Sequence, residues 1–289
     1  MAGRGLNDPV RAPTVSAPTA AGRGADDARS DREAEALARL YDVDLLEDPG
    51  DLDLYLAMAA RADGPVLELA VGSGRLAVPV ANAGHAVTGV DNDPWMLARA
   101  RRMADEWLGA EADRVSLHEA DVRTVRLPQA GGFGLAFLAL NSLLVLETAG
   151  DQLAAVRAMA MHLRPGGLAV VDVWLPDADD LGRFDGRLTL QYVRRDPETG
   201  NLVTKLVAAR HDHTNQSVEL TNVYDEGRPG QPPVRWVRQD RLRLVSPDEL
   251  RSLAEQAGLE TQVIAGSDNL DPIGPASDRA ILIAEKPRR

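Results

Sequence analysis

Glu68, Gly72 and Gly74 stand within seven residues of one another, in the run Val66-Leu67-Glu68-Leu69-Ala70-Val71-Gly72-Ser73-Gly74-Arg75. The apolar start of this run predicts a strand, the Gly-x-Gly predicts a tight turn, and a helix pattern follows at once. Such a turn lets a backbone approach a ligand closely and aims the free N–H groups of the next helix at it. Two further carboxylates, Asp91 and Asp121, fall just after the next two predicted strands. The chemistry on offer is therefore binding of a nucleotide-like cofactor, with acidic groups arranged around it.

The elements that must position these groups alternate along the chain. Strands are expected at 65–70, 85–91, 115–118, 134–140 and 168–174, with helices at 75–82, 94–108 and 150–163 between them. Asp93 reads as an N-cap with Pro94 at the first helical position. Strands spaced by helices of this length build parallel βαβ units, and Leu168-Ala169-Val170-Val171 suits a strand buried on both faces. After Trp174 the period changes to two, over 187–195, 202–212, 218–224 and 234–244, with Gly/Pro/Asn/Asp turns between. This reads as an inserted antiparallel meander. A capping box at Ser246-Pro247-Asp248-Glu249, a stop at Gly258 and two last strands (260–265 and 279–285) return the chain to the first sheet. The expected fold class is α/β: a Rossmann-like, doubly wound, mostly parallel seven-stranded sheet with an antiparallel last strand, plus the inserted β meander. The expected division is a disordered tail (1–30), an N-terminal helical cap (31–62, with helices at 31–40 and 51–61), a cofactor-binding domain (63–175 with 245–289) and an inserted substrate lid (176–244).

Composition narrows the partners. The 289 residues contain no Cys, which excludes disulfides, thiolate metal sites and Cys nucleophiles. The net charge is −12, and Lys occurs only at Lys205 and Lys286. That balance argues against a nucleic-acid partner, which would want a basic face. No apolar run reaches membrane-spanning length, and the first 29 residues lack a signal-peptide core. The expectation is a cytoplasmic protein with a small-molecule substrate.

Two cofactors compete for the Gly turn. Gly72-Ser73-Gly74-Arg75-Leu76-Ala77 also fits a dinucleotide fingerprint, with Asp91 at the distance of a ribose contact. Glu68 separates the readings. It would repel a pyrophosphate but favour a cationic sulfonium and its α-amino group. Asp91 can accept ribose hydroxyls, and Asp121 can accept from an adenine amino group. All three lie at carboxyl ends of neighbouring strands, where open α/β sheets bind ligands.

At this point the chain resembles class I S-adenosylmethionine-dependent methyltransferases. The likeness runs from about Leu40 to Lys286. It rests on the Gly turn, Val90-Asp91, Ala120-Asp121-Val122, Asn141-Ser142-Leu143 and Leu163-Arg164-Pro165-Gly166-Gly167. The meander is similar to that of small-molecule methyltransferases, including glycine-type and amino-sugar N-methyltransferases, where it covers the substrate pocket. The resemblance implies S-adenosylmethionine held by Tyr41, Glu68, Ala70, Gly72, Ser73, Gly74, Asp91, Asn92, Met96, Asp121, Val122 and Asn141, with Tyr41 closing over it. There are departures. Ala70 stands where the family usually has Gly, and Gly134 where it often has Asp. Asn141-Ser142 leads into Leu143-Leu144 and not Pro-Pro-aromatic, which speaks against methylation of nucleic-acid bases.

The expected reaction is in-line methyl transfer to an N or O nucleophile of a small molecule. A general base, if the nucleophile arrives protonated, has candidates in His211, His213, Asn141 and Tyr41. His211 and His213 share a strand face by their spacing, yet no third ligand accompanies them, so no metal site is expected. Two alternatives stand: an NAD(P)-dependent oxidoreductase using the same turn, and a non-catalytic S-adenosylmethionine-binding protein.

Overall fold

The computed structural model describes residues 27–275 and 277–288. Helix α1 (Asp27–Asp44) opens it, followed by α2 (Leu52–Arg61) and then the alternating core. The core comprises β1 (Val66–Leu69), α3 (Ala77–Asn82), β2 (Val87–Asp91), α4 (Pro94–Leu108), β3 (Val115–Glu119), β4 (Phe133–Leu138), α5 (Ala149–His162) and β5 (Leu163–Trp174). A short α6 (Ala178–Arg183) leads to β6 (Asp185–Arg195), β7 (Leu202–Asp212), β8 (Ser217–Gly227) and β9 (Val234–Arg243). The chain closes with α7 (Pro247–Gln256), β10 (Glu260–Ala265) and β11 (Arg279–Glu285).

The seven-stranded sheet has the order β10-β11-β5-β4-β1-β2-β3. Strands β1 to β5 pair in parallel, whereas β11 runs antiparallel to both β5 and β10. The order reverses between β1 and β4, and that switch point opens a crevice at the carboxyl edge. Strands β1, β2 and β4 are buried at every residue. One apolar cluster lies on the α5–α7 face, and another under α2, α3 and α4.

Strands β6 to β9 form a second sheet of four consecutive antiparallel strands. Register puts Tyr192 opposite Lys205, Lys205 opposite Tyr224, and Tyr224 opposite Trp236. This row faces α1. Leu40 and Val43 pack on Val203 and Tyr224, while Ala38 and Tyr41 pack on Met96 of α4. Helix α1 is thus a wedge with one stripe on each side, because residues three apart share a helix face.

Several boundaries differ from expectation. Helix α1 begins at Asp27 and ends at Asp44, longer than the expected 31–40. Residues 27–30 of the expected tail are therefore helical, and the rest of that tail lies outside the described residues. Its apolar pattern fades at Tyr41-Asp42, yet packing against two surfaces carries the helix on. Strand β5 begins at Leu163, which already pairs with Phe133 ahead of a register irregularity; the Arg164–Gly167 stretch is part of that strand. Helix α6 is too short to show a period. Among the described residues no helix is long and apolar enough to cross a membrane.

Charge holds the wedge. Lys205 Nζ donates to Asp44 at 2.7 Å, and the Tyr224 and Tyr192 hydroxyls donate to the same carboxylate at 2.8 and 2.5 Å. Arg39 bridges Asp196 and Glu226 of the second sheet. Arg194 donates to the carbonyls of Val43 and Asp44, a cation at a helix C-terminus. Arg99 of α4 ties Asp42 to Glu198, in the turn between β6 and β7. Breaking a buried pair by removing one partner costs about 3–5 kcal/mol. Asp44→Ala, which leaves Lys205 buried and uncompensated, is expected to lose about that much stability in denaturant unfolding. A loss under 1 kcal/mol would show that the clamp is not structural.

Candidate functional site

Strand β1 delivers Glu68 and then turns sharply. Ala70, Gly72 and Gly74 all have positive φ, at +58°, +54° and +86°. Glycine is required at position 74 for a second reason: a Cβ there would lie 3.2 Å from the Cα of Ala100 on α4. The Gly72 N–H donates to Asp91 Oδ2 at 2.9 Å, and the Asp93 N–H donates to Oδ1 at 3.0 Å. Asp91 therefore fastens the turn to the end of β2. A carboxylate has about four acceptor positions, so both oxygens retain capacity for a pair of hydroxyls. Burial pushes the Asp91 carboxyl up to about 6, against the pull of the Asp93 and Gly72 amides. Asp93 caps α4, accepting from the Trp95 and Met96 amides at 2.8 and 3.3 Å.

Behind the turn lies a small cavity lined by Tyr41, Glu68, Ala70, Arg75, Leu140 and Ser142 among others. A Cβ on Gly72 would sit 3.8 Å from the Tyr41 ring, so α1 lays this ring across the turn. The Arg75 guanidinium is spent on a bidentate pair with the fully buried Asp51, at 2.6 and 2.7 Å. Glu68 is 4% exposed, and its Oε2 has no hydrogen-bond partner among the described residues. Burial holds the Glu68 carboxyl well above the usual range; Arg75 opposes this, and Asp51 and Asp91 reinforce it.

The end of β4 forms the opposite wall. Leu140 and Asn141 both take left-handed backbone conformations. The Asn141 N–H donates to the Asp172 carbonyl at 3.2 Å, and its Oδ1 accepts from the Trp174 N–H at 2.5 Å. Asn141 is thus a brace between β4 and β5, and its carbonyl oxygen serves the backbone of β5. A dry acidic group stands beside it. Asp172 is 1% exposed, has Arg279 at 3.6 Å, and is pushed by burial up to about 6.

The remaining candidates are distributed unevenly. Asp121 is gripped by Arg123 Nη2 at 2.5 Å and Nε at 2.9 Å, and Arg123 also reaches Asp151 at 3.0 Å. These hydrogen bonds hold the Asp121 carboxyl below its ordinary value, ionised and partly exposed. Asn92 is half-buried beside Asp91, Ser73 is buried in the turn, and Val122 packs on the main core. Met96 is fully buried against Ala38 and Tyr41, in the joint between α1 and α4. The histidines are a correction. Strand β7 ends at Asp212, so His213 lies in the turn and not on His211's strand face. Their rings pair at 4.0 Å between centroids, and neither lines the cavity. Burial and His213 lower the His211 pKa. Among the described residues no group of His, Asp and Glu is placed to hold a metal. Residue types alone missed Arg75, Asp51 and Asp172. For Asp172 a signal existed: it is the one charged residue in the apolar run 168–174.

The sheet order, the glycine turn fastened by Asp91 and the carboxyl group behind it form a site at the carboxyl edge of the sheet suited to a nucleoside cofactor bearing a positive charge. Residues 66–167 match the methyltransferase domain family. The CcbJ methyltransferase from Streptomyces caelestis superimposes with a TM-score of 0.68 at 25% identity, over 82% of this chain and 96% of that one. The amino pentose methyltransferase CalS10 from Micromonospora echinaspora gives 0.60 at 21%, over 93% and 100%. The sugar N-methyltransferase KedS8 from Streptoalloteichus sp gives 0.63 at 20%, over 94% and 96%. No curated protein sequence matches significantly. Residues 66–167 thus carry a methyltransferase domain, and the chain has the fold of S-adenosylmethionine-dependent methyltransferases.

Ala70 provides a check on the turn. A non-glycine residue in the left-handed region costs about 1–2 kcal/mol, partly offset by the lower unfolded-chain entropy of Ala. Ala70→Gly is expected to raise stability by about 0.5–1 kcal/mol in thermal or denaturant unfolding. A destabilised variant would show that the Ala70 methyl contributes packing that outweighs its backbone strain.

Proposed function

We propose that this enzyme methylates an N or O nucleophile of a small molecule, with an amine on a polar, sugar-like scaffold as the first acceptor class to try. The observation that carries the reading is Glu68, a buried carboxyl lining the cavity with its Oε2 unpartnered, which a cationic ligand stabilises in its ionised form and a pyrophosphate does not. The same point disfavours an NAD(P)-dependent oxidoreductase. CalS10 is an amino pentose methyltransferase and KedS8 a sugar N-methyltransferase, which supports an amine acceptor. The excess of buried carboxylates at this sheet edge favours a basic one.

When bound, S-adenosylmethionine supplies an electrophilic methyl group on a cationic sulfur. The chain's own residues bind and orient. Gly72, Gly74 and the Ala70 backbone would lie against the methionyl part, and Asp91 would accept from the ribose hydroxyls. Asp121, with the half-buried Val122, receives the adenine. Its grip by Arg123 leaves it ionised and oriented as an acceptor. In this reading residues 31–62 are the cap, 176–244 the substrate lid, and 63–175 with 245–289 the cofactor domain. Holding the nucleophile near the methyl group supplies most of the rate, about 7–11 kcal/mol from proximity. A basic amine attacks only as the free base, and neither His211 nor His213 lines the cavity to take its proton.

Calorimetric titration with S-adenosylhomocysteine, alongside NAD, tests the cofactor. Turnover across amine, phenol and carboxylate panels then tests the acceptor. Binding of NAD alone would refute the assignment, and binding without any methylated product would leave a non-catalytic binding protein. Asp91→Ala is expected to weaken homocysteine-nucleoside binding by about 2–3 kcal/mol through lost charge-assisted hydrogen bonds. An unchanged affinity in the folded variant would remove Asp91 from the site.

A further inference from the structure

We infer that Glu68 is a neutral acid in the cofactor-free enzyme and ionises when a cation of the cofactor's methionyl part arrives, so that cofactor binding expels a proton. The inference rests on the methyltransferase reading and concerns what this one side chain does during binding.

The argument is a count of charges in a dry place. Glu68 faces Arg75 from the turn after β1, Asp51 just before α2, Asp91 at the end of β2, and Tyr41 on α1. Arg75 is the only cation of the four, and both of its donor arms are taken by Asp51 at 2.6 and 2.7 Å. The Ala77 amide, at the start of α3, is directed at the Glu68 carboxylate, while Oε2 is left without a partner. An isolated ionised carboxylate in low dielectric is costly enough that the group neutralises itself. Two neighbouring carboxylates raise that cost. Burial and these neighbours act in the same direction, keeping the proton on. The Tyr41 ring lines the same cavity and lies against the Gly72 turn.

Entry of a cation reverses the balance, because an opposite charge within a few ångströms favours the ionised form. The Glu68 O–H then releases its proton to solvent, and the carboxylate pairs with the cation. Two groups of the methionyl part carry this chemistry, the sulfonium and the α-ammonium. The device makes affinity depend on pH: with one proton released per cofactor, Kd falls up to tenfold per pH unit while free Glu68 remains neutral.

The test is calorimetric titration of the whole protein with S-adenosylmethionine and with S-adenosylhomocysteine, in buffers of different ionisation enthalpy, between pH 6.5 and 8.5. The dependence of heat on buffer counts protons. Wild type is expected to release a substantial fraction of one proton. Glu68→Gln, nearly isosteric, is expected to bind with that release lost and with a pH dependence of Kd shallower than that of wild type by the same proton. Asp91 and Asp172 titrate near 6 and cancel in the difference between the two proteins. Equal release with both ligands assigns the α-ammonium as the partner, and greater release with the methyl donor assigns the sulfonium. Should Glu68→Gln fail to fold, infrared difference spectra of wild type are expected to lose a protonated-carboxyl band on binding. Tight binding with no proton released, or the same release in Glu68→Gln, overturns the inference and leaves the methyltransferase reading standing. Binding of neither ligand overturns both.

Discussion

An excess of buried carboxylate at one edge of the sheet is the constraint on which this molecule turns. Glu68, Asp51, Asp91 and Asp172 all lie at the carboxyl ends of parallel strands or directly above them, each at most 4% exposed. The cations within reach are Arg75 and Arg279, and both are engaged, Arg75 with Asp51 and Arg279 chiefly with Asp268. A protein that buries negative charge in this way either neutralises it by holding protons or reserves it for a positive ligand. Asp91 is partly relieved by two backbone amides. Glu68 has no such relief at Oε2. The edge is electrostatically incomplete by itself, and a cofactor with positive charges completes it.

Closure over that edge is also an electrostatic matter. Tyr41 reaches the glycine turn only because α1 is held against it. What holds α1 is a set of ion pairs to the second sheet: Asp44 with Lys205, Arg39 with Asp196 and Glu226, and Asp42 with Glu198 through Arg99. Helix α1 also meets α4, through Ala38 and Tyr41 on Met96 and through the Asp42–Arg99 pair, and the second sheet shares the main apolar cluster through Val207, Val218 and Leu242. Buried pairs of this kind fix geometry, since a shifted partner leaves a charge stranded.

Much of this was legible in the order of residues. The strands of the main sheet, the change of period after Trp174, the glycine turn, Asp91 and the N-cap at Asp93 all follow from local rules: apolar runs for doubly buried strands, alternation for an exposed sheet, small residues for a tight turn. The family resemblance rests on the same local signals. What escaped was anything set by contact between distant segments. Asp51 gives no sign that it will meet Arg75, 24 residues on. Met96 carries no mark that α1 will cover it, and Asn141 none that a backbone amide of β5 will take its side-chain oxygen. His211 and His213 share a strand face only if the strand lasts one residue longer than it does.

The sequence by itself determined the kind of fold, the position of the cofactor turn and the acidic character of its surroundings. Those properties depend on residue type and spacing over fewer than about ten positions, the length of a strand and a turn. The tertiary structure alone decided which acids are paired and which stand unpartnered, and where α1 lies. The reason is physical. The state of a charge is set by the dielectric and the counter-ions within a few ångströms, and those neighbours come from parts of the chain that only folding brings together.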